Sequence, residues 1–300
     1  MQDTTIYRSL EDAVRGYVLQ ALSPGERDEL HSVPLRDLLT TFFNWQSRSI
    51  PARPRACQIS TEMATSPKFT RHRAALDSLI AMIESGADLA PHLSKKTTIA
   101  YASPAEGEIP GQRADRDLLL GEWGVHHLHL AERHARNLVY AMFTTTTAYL
   151  IGVYDHRSWG LTEVLRIVVA NWPDAGLMLE TTAIGLSQDF SDNDRLQLRK
   201  NGINTPGVVV NNKLWVPSAL GIAADGTAMR AATRAMDFIW RLRAWEDEPD
   251  ARLAEASLRI DEAAGHKVAG EWTALVDDHG TLGLLKGGAF CPLLSLAPSI

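Results

Sequence analysis

Cysteine is almost missing from this chain. Cys57 and Cys291 are the only two among 300 residues, which excludes a disulfide framework and a cysteine-ligated zinc site. Long apolar runs are missing as well. None approaches the roughly 18 residues of a membrane span, and Met1 to Tyr17 is polar and charged, without the apolar stretch of a secretory signal. Positive charge is not in excess: the formal net charge of −6 gives no global pull toward nucleic acid or an anionic membrane, although it leaves room for a local basic groove. Gly283 and Gly287-Gly288 lack the strand–loop–helix setting and the Lys-Ser/Thr ending of a phosphate loop. There is no Gly-X-Ser-X-Gly elbow, and neither cysteine has a histidine close in sequence. These absences lead to the expectation of a cytoplasmic protein without a membrane partner and without a cofactor.

Histidine is what the chain does concentrate. Five of its ten histidines fall between residues 126 and 156, in the run Trp123-Gly124-Val125-His126-His127-Leu128-His129-Leu130, at His134, and in Tyr154-Asp155-His156-Arg157-Ser158-Trp159. Val125 to Leu130 reads as a strand. Side chains alternate along a strand, so His127 and His129 share a face and His126 points away. Imidazole titrates closest to neutrality, which suits it to proton transfer or metal ligation.

The flanking pattern is that of an α+β protein: a helical N-terminal part packed on a central antiparallel β-meander, with a smaller C-terminal α+β unit. Apolar spacing predicts helices over 10–22 and 35–45, separated by Ser23-Pro24-Gly25, and over 69–85, ended by Gly86. Ala56 to Ser60 is a short candidate strand, and residues 102–114, with Pro104, Gly107, Pro110 and Gly111, read as a loop. Residues 125–130, 138–144 and 147–154 form the meander, the last two rich in strand-favouring residues. Helices follow over 161–171, 192–200, 228–244 and 250–264. Hairpins are expected around Asn211-Asn212 and around Asp277-Asp278-His279-Gly280. No repeat or low-complexity tract is visible. A soft boundary falls near residues 186–194, dividing the chain into 1–190, which carries the histidines, and 191–300.

Three chemical readings of the cluster compete with a bland one, in which the histidines are partly buried sheet residues with satisfied hydrogen bonds. In the first, His127 and His129 share acid and base work on RNA, while Arg136, His156 and Arg157 hold the phosphate. In the second, His127 and His129 ligate a metal, with His156 or Glu122 as a third ligand and open positions for water or substrate. Gly121 to His129 is similar to the opening of a cupin motif, although Glu132 comes one residue early and no second motif follows at Pro206-Gly207. In the third, Glu122, His126 and His129 lie along a helix; Gly121 and Gly124 each disfavour that by about 1 kcal/mol. Trp123 and Trp159 flank the cluster and are candidate base-stacking surfaces. Arg48, Arg53 and Arg55, with Lys68, Arg71, His72 and Arg73, form the basic concentration of the chain, and Arg53 and Arg55 are candidate phosphate contacts.

An upstream helix, the Leu93-Ser94-Lys95 segment, and a three-strand meander ending in His156-Arg157 resemble RelE/ParE-like toxins, of the wider group of barnase-, EndoU- and colicin-like ribonuclease folds. The likeness covers about residues 69–160. It implies a metal-independent endoribonuclease of toxin type, with RNA as substrate and an antitoxin or regulatory protein as partner. Such toxins are small and basic whereas this chain is long and acidic, and His126, His127 and His129 stand where arginines are expected. The competing class is a non-enzymatic regulatory or interaction protein whose helices and tryptophans bind a partner chain.

Overall fold

The structure is a computed structural model that describes residues 3–22, 28–102, 116–130, 136–156, 158–183, 190–205 and 207–298. In chain order it holds α1 (Asp3–Leu22), α2 (Asp28–His31), α3 (Leu35–Gln46), β1 (Ala56–Ile59), α4 (Thr61–Ala64), α5 (Pro67–Arg71) and α6 (Arg73–Ser85). Two 3-10 turns (Ala90–His92, Lys95–Thr98) lead to α7 (Leu118–Trp123), β2 (His126–His129), β3 (Leu138–Phe143), β4 (Thr147–Tyr154), α8 (Glu163–Asn171), β5 (Met178–Glu180) and α9 (Asp192–Lys200). The remainder is β6 (Val208–Val210), β7 (Lys213–Pro217), α10 (Met229–Asp247), α11 (Pro249–Ala264), β8 (Trp272–Val276), β9 (Thr281–Lys286) and β10 (Ala289–Ser295). This is the expected α+β class. No helix among the described residues is long and apolar enough to cross a membrane.

Two compact units emerge, Met1–Phe43 with Ala232–Ser299, and Asn44–Ala231, so the divisions fall inside α3 and α10. This differs from the sequence boundary between 190 and 191, which assumes that each unit is one continuous stretch of chain. In the first unit, α1 buries Leu10, Val14, Val18 and Leu22 at four-residue spacing and packs on β8 and β9, while α11 lies on β10. The sheet order is β10-β9-β8. The β8–β9 hairpin is held by Asp277, whose Oδ1 accepts from the amides of His279 and Thr281 at 2.9 and 2.8 Å. The third strand follows the turn at Gly287-Gly288, both at positive φ (54° and 84°), which only glycine adopts cheaply.

The second unit carries the histidines. Its four-stranded sheet has the order β1-β4-β3-β2; β2, β3 and β4 form the expected antiparallel meander, and β1 adds to it in parallel along β4. The strands are apolar on both faces because both are covered. One face packs Val139, Ala141, Ala148 and Leu150 against Leu76, Leu79 and Ile83 of α6. The other packs Leu138, Tyr140 and Ile151 against Val164, Leu165 and Val168 of α8 and against Trp123. The register shifts between Tyr140 and Ala141, and the carbonyl of Ile151 at this irregularity accepts from the buried Ser60 hydroxyl at 2.7 Å. A third sheet, β5-β7-β6, contains the Asn211-Asn212 hairpin, with φ of 52° and 61° as a tight turn requires. The helix predicted over 69–85 is broken: α5 ends and α6 begins at His72, whose φ of −110° and ψ of 19° are not helical. The loop predicted over 102–114 falls almost wholly outside the described residues.

Candidate functional site

A short helix and a tight turn aim the histidine strand. Asp117 caps α7, its Oδ1 accepting from the amide of Leu120 at 3.1 Å, and Gly124 ends the helix in the left-handed region at φ 73°. Gly121 sits inside the helix despite its poor propensity, because a Cβ there would stand 2.8 Å from Ile222 Cγ2. The chain then enters β2 at His126, so the helical reading of Glu122, His126 and His129 is replaced by helix, turn and strand.

Pairing with β3 sorts the histidines as the alternation requires. His127 lies opposite Tyr140 and His129 opposite Leu138, on the α8 face, whereas His126 lies opposite Ala141 on the α6 face. There His126 is buried edge-on against Phe143, with ring centroids 5.4 Å apart. Burial pushes its pKa down to about 4, beyond what nearby Asp117 offsets, and the His127, Arg230 and Arg55 charges act in the same direction as burial. His126 is a neutral core imidazole.

His127, His129 and His156 converge on one cavity of about 670 Å³. The His127 ring meets the Trp159 ring edge-on at 4.8 Å, His129 and His156 lie 5.7 Å apart, and His156 stacks alongside Trp159 at 6.1 Å. Asp117 faces His127 with its second oxygen, Oδ2, 3.6 Å from Nδ1. One carboxylate thus caps a helix with one oxygen and faces an imidazole with the other. His129 is buried and its carbonyl lies 2.8 Å from His92 Nδ1; His156 is exposed. Among the described residues, the cavity wall carries Arg48, Arg116, Arg199 and Lys200 and one carboxylate, that of Asp117.

Arg199 is one of the cavity residues that sequence reasoning missed, along with Arg116, Asp117 and Lys200. Helix α9 starts with a capping box between Ser191 and Asp194, and the residues it buries are Arg195 and Arg199 rather than an apolar stripe. Arg195 donates to the carbonyl of Gly207 at 3.3 Å. Arg199 donates through Nε to Glu122 and through Nη1 to the Trp159 carbonyl, and its guanidinium lies 4.0 Å over the Trp123 ring. Asp192 fastens the start of α9 by accepting from the Thr162 amide and hydroxyl at 2.9 and 2.6 Å. The available signal was the Ser191 cap followed by arginines at i and i+4, one face of a helix. Asp117 was also legible, as a capping residue immediately before an apolar run.

The other expected residues fall elsewhere. Glu122 is buried, and its carboxylate is taken by Arg199 and by the amide and hydroxyl of Thr205, both at 2.7 Å, so it is no metal ligand. Among the described residues, no three or more His, Cys, Asp or Glu side chains are grouped to hold a metal. Trp123 is fully buried beneath Arg199, which leaves no face for a base, whereas Trp159 lines the cavity. Arg55 is a buried tie between loops, donating to the carbonyls of Thr144 and Pro51 at 2.9 Å. Arg53 and the exposed Arg136 do not line the cavity, and Arg157 and His134 lie outside the described residues. The basic concentration disperses: Arg48 reaches the cavity, while Arg73 pairs with Asp77 at 2.8 Å and Lys68 donates to the Val153 carbonyl.

No protein-family model, curated protein or solved structure matches this chain.

Proposed function

We propose that this protein is a metal-independent endoribonuclease of toxin type, acting at the cavity that His127, His129 and His156 share. The observation that carries the reading is the convergence of three imidazoles, one with a carboxylate behind it, in a pocket walled by arginine and lysine. In the step proposed, His127 removes the proton of a ribose 2′-hydroxyl, whose oxygen attacks the adjacent phosphorus. Asp117 steadies the imidazolium that results. His156, the exposed member of the trio, protonates the departing 5′-oxygen, with His129 packed beside it. The products are a 2′,3′-cyclic phosphate and a 5′-hydroxyl; no water or metal is consumed, and proton transfer by placed side chains contributes about 10²–10⁴-fold each. The cationic wall offsets the charge that develops on the phosphate oxygens. Trp159 is a surface on which a neighbouring base can stack. Arg136 has no part in this version, since it does not line the cavity.

The resemblance to RelE/ParE-like toxins supplies the substrate class and the expectation of an antitoxin partner in the cytoplasm. A second reading, a non-enzymatic interaction protein, is supported by α10, which exposes Trp240 (79%) and Met236 (62%) beside Tyr7 and Leu35. Induction in a bacterial host separates the two. A ribonuclease toxin arrests growth, and the His127→Ala/His129→Ala double variant does not. Tolerance of the wild-type chain at the same expression level would remove the toxin reading.

A further inference from the structure

Four cations line the histidine cavity, and their environments are not equivalent. Arg48 donates to the Ile99 carbonyl at 2.6 Å. Arg116 faces Asp225 at 3.6 Å. Lys200 is exposed at the end of α9. Arg48 and Arg116 are buried about as deeply. Arg199, with 3% side-chain exposure, is held from three sides. Glu122 holds it at Nε, the Trp159 carbonyl at Nη1, and the Trp123 ring from above. Yet its Nη2 has no hydrogen-bond partner among the described residues.

That leftover donor is costly if its only role is structural. A buried donor left unsatisfied costs about 1–3 kcal/mol. Glu122 could relieve it with a two-oxygen fork, but its other oxygen is spent on Thr205, so the ion pair is made through Nε alone. The surrounding residues therefore orient the guanidinium and leave one end of it over. Trp159 ties this cation to the chemistry: its carbonyl accepts from Arg199, and its ring lies against His127 and His156.

We propose that Arg199 is the phosphate-binding residue of this cavity, donating from Nη2 to a phosphate oxygen of the substrate, and that Glu122 is its positioning residue. The inference rests on the ribonuclease reading for the identity of the anion, a phosphodiester. Binding of the phosphate group itself is a separate property and is tested separately. A planar, fixed guanidinium recognises phosphate by direction as well as charge, so lysine is a poor replacement.

The experiment titrates inorganic phosphate, with sulfate and chloride as comparisons, into the full chain and into Arg199→Lys, following the imidazole nitrogen signals by NMR. The wild type is expected to show saturable movement of the His127 and His156 signals, and Arg199→Lys to need about ten-fold or more phosphate, as for loss of one charge-assisted hydrogen bond. Folded Arg199→Lys that binds like wild type, or a wild type without saturable movement, overturns the assignment. Arg199→Lys could fail to fold, because it breaks a buried ion pair. The second measurement therefore uses wild-type protein labelled with ¹⁵N-arginine, in which Arg48→Lys and Arg116→Lys identify the signals of the other two cavity arginines. Phosphate must then move a protected guanidinium signal that survives both substitutions, and its failure to do so is equally fatal. Saturable phosphate binding without RNA cleavage would refute the ribonuclease reading and leave this assignment standing. Histidine-dependent cleavage without phosphate binding at Arg199 would do the reverse.

Discussion

Acidification should destabilise this protein through one buried histidine that does not line the cavity. His126 is buried against Phe143, and burial lowers its pKa from 6.5 to about 4. In the unfolded chain the group returns to about 6.5. Between those values the unfolded state binds a proton that the folded state refuses, so unfolding free energy falls as pH falls. The contribution is fully present above pH 6.5, is lost as pH drops through the window, and levels off below about 4. A difference of that size corresponds to about 3 kcal/mol, a large share of the roughly 5–15 kcal/mol that keeps an ordinary domain folded. Urea unfolding across this pH range, compared between wild type and His126→Gln, isolates the effect from other titrating groups. The wild type should lose about 3 kcal/mol more than the variant between pH 7 and 4. In parallel, the His126 ring signal should stay in its neutral position by NMR at pH 5.5. Parallel stability profiles, or a His126 titration near 6.5, would show that burial does not hold this imidazole neutral.

Further outcomes follow from the same contacts. Glu122→Gln strands Arg199 inside the second unit and should cost about 3–5 kcal/mol in urea unfolding, as for a broken buried ion pair. A merely metal-ligating Glu122 would leave the stability of metal-free protein unchanged. Gly207→Ala places a Cβ 1.6 Å from the Trp215 carbonyl oxygen, which forces β6 and β7 apart; a loss of about 4 kcal/mol or more, or an insoluble product, is expected. Asp117→Asn keeps the cap on α7, so stability should change by less than about 1 kcal/mol. Cleavage by that variant should fall at least ten-fold, because the charge facing His127 is gone. Equal activity would remove Asp117 from the mechanism.

Much of the site-bearing sheet was legible because its signals are local. Alternation along β2 separates His126 from His127 and His129, and the two-residue offset needs no knowledge of the partner strand. Asn211-Asn212 announces its own turn through the positive φ that asparagine tolerates. Gly287-Gly288 carries the same kind of message and was read only for its failure to form a phosphate loop. It turns β9 into β10, a strand that the sequence reading left out. What stayed hidden depends on distant partners. Arginine is seldom buried unless it is paired, and Arg199 finds Glu122 77 residues earlier in the chain, a partner that the local pattern of the helix over 192–200 does not reveal. Arg55 misled for the same reason: its charge suggested a surface contact, but the Thr144 carbonyl, 89 residues away, draws it inward. Trp123 and Trp159 are alike in sequence context, and only the packing of α7 beneath Arg199 separates a core ring from a cavity wall.

The most direct test incubates purified protein with a labelled RNA in excess EDTA and resolves the fragments, comparing wild type with His127→Ala. The wild type is expected to cleave and leave 2′,3′-cyclic phosphate ends, with a loss of about 10²-fold or more in the variant. An RNA left intact by the wild type, or cut equally well by His127→Ala, would contradict the ribonuclease reading.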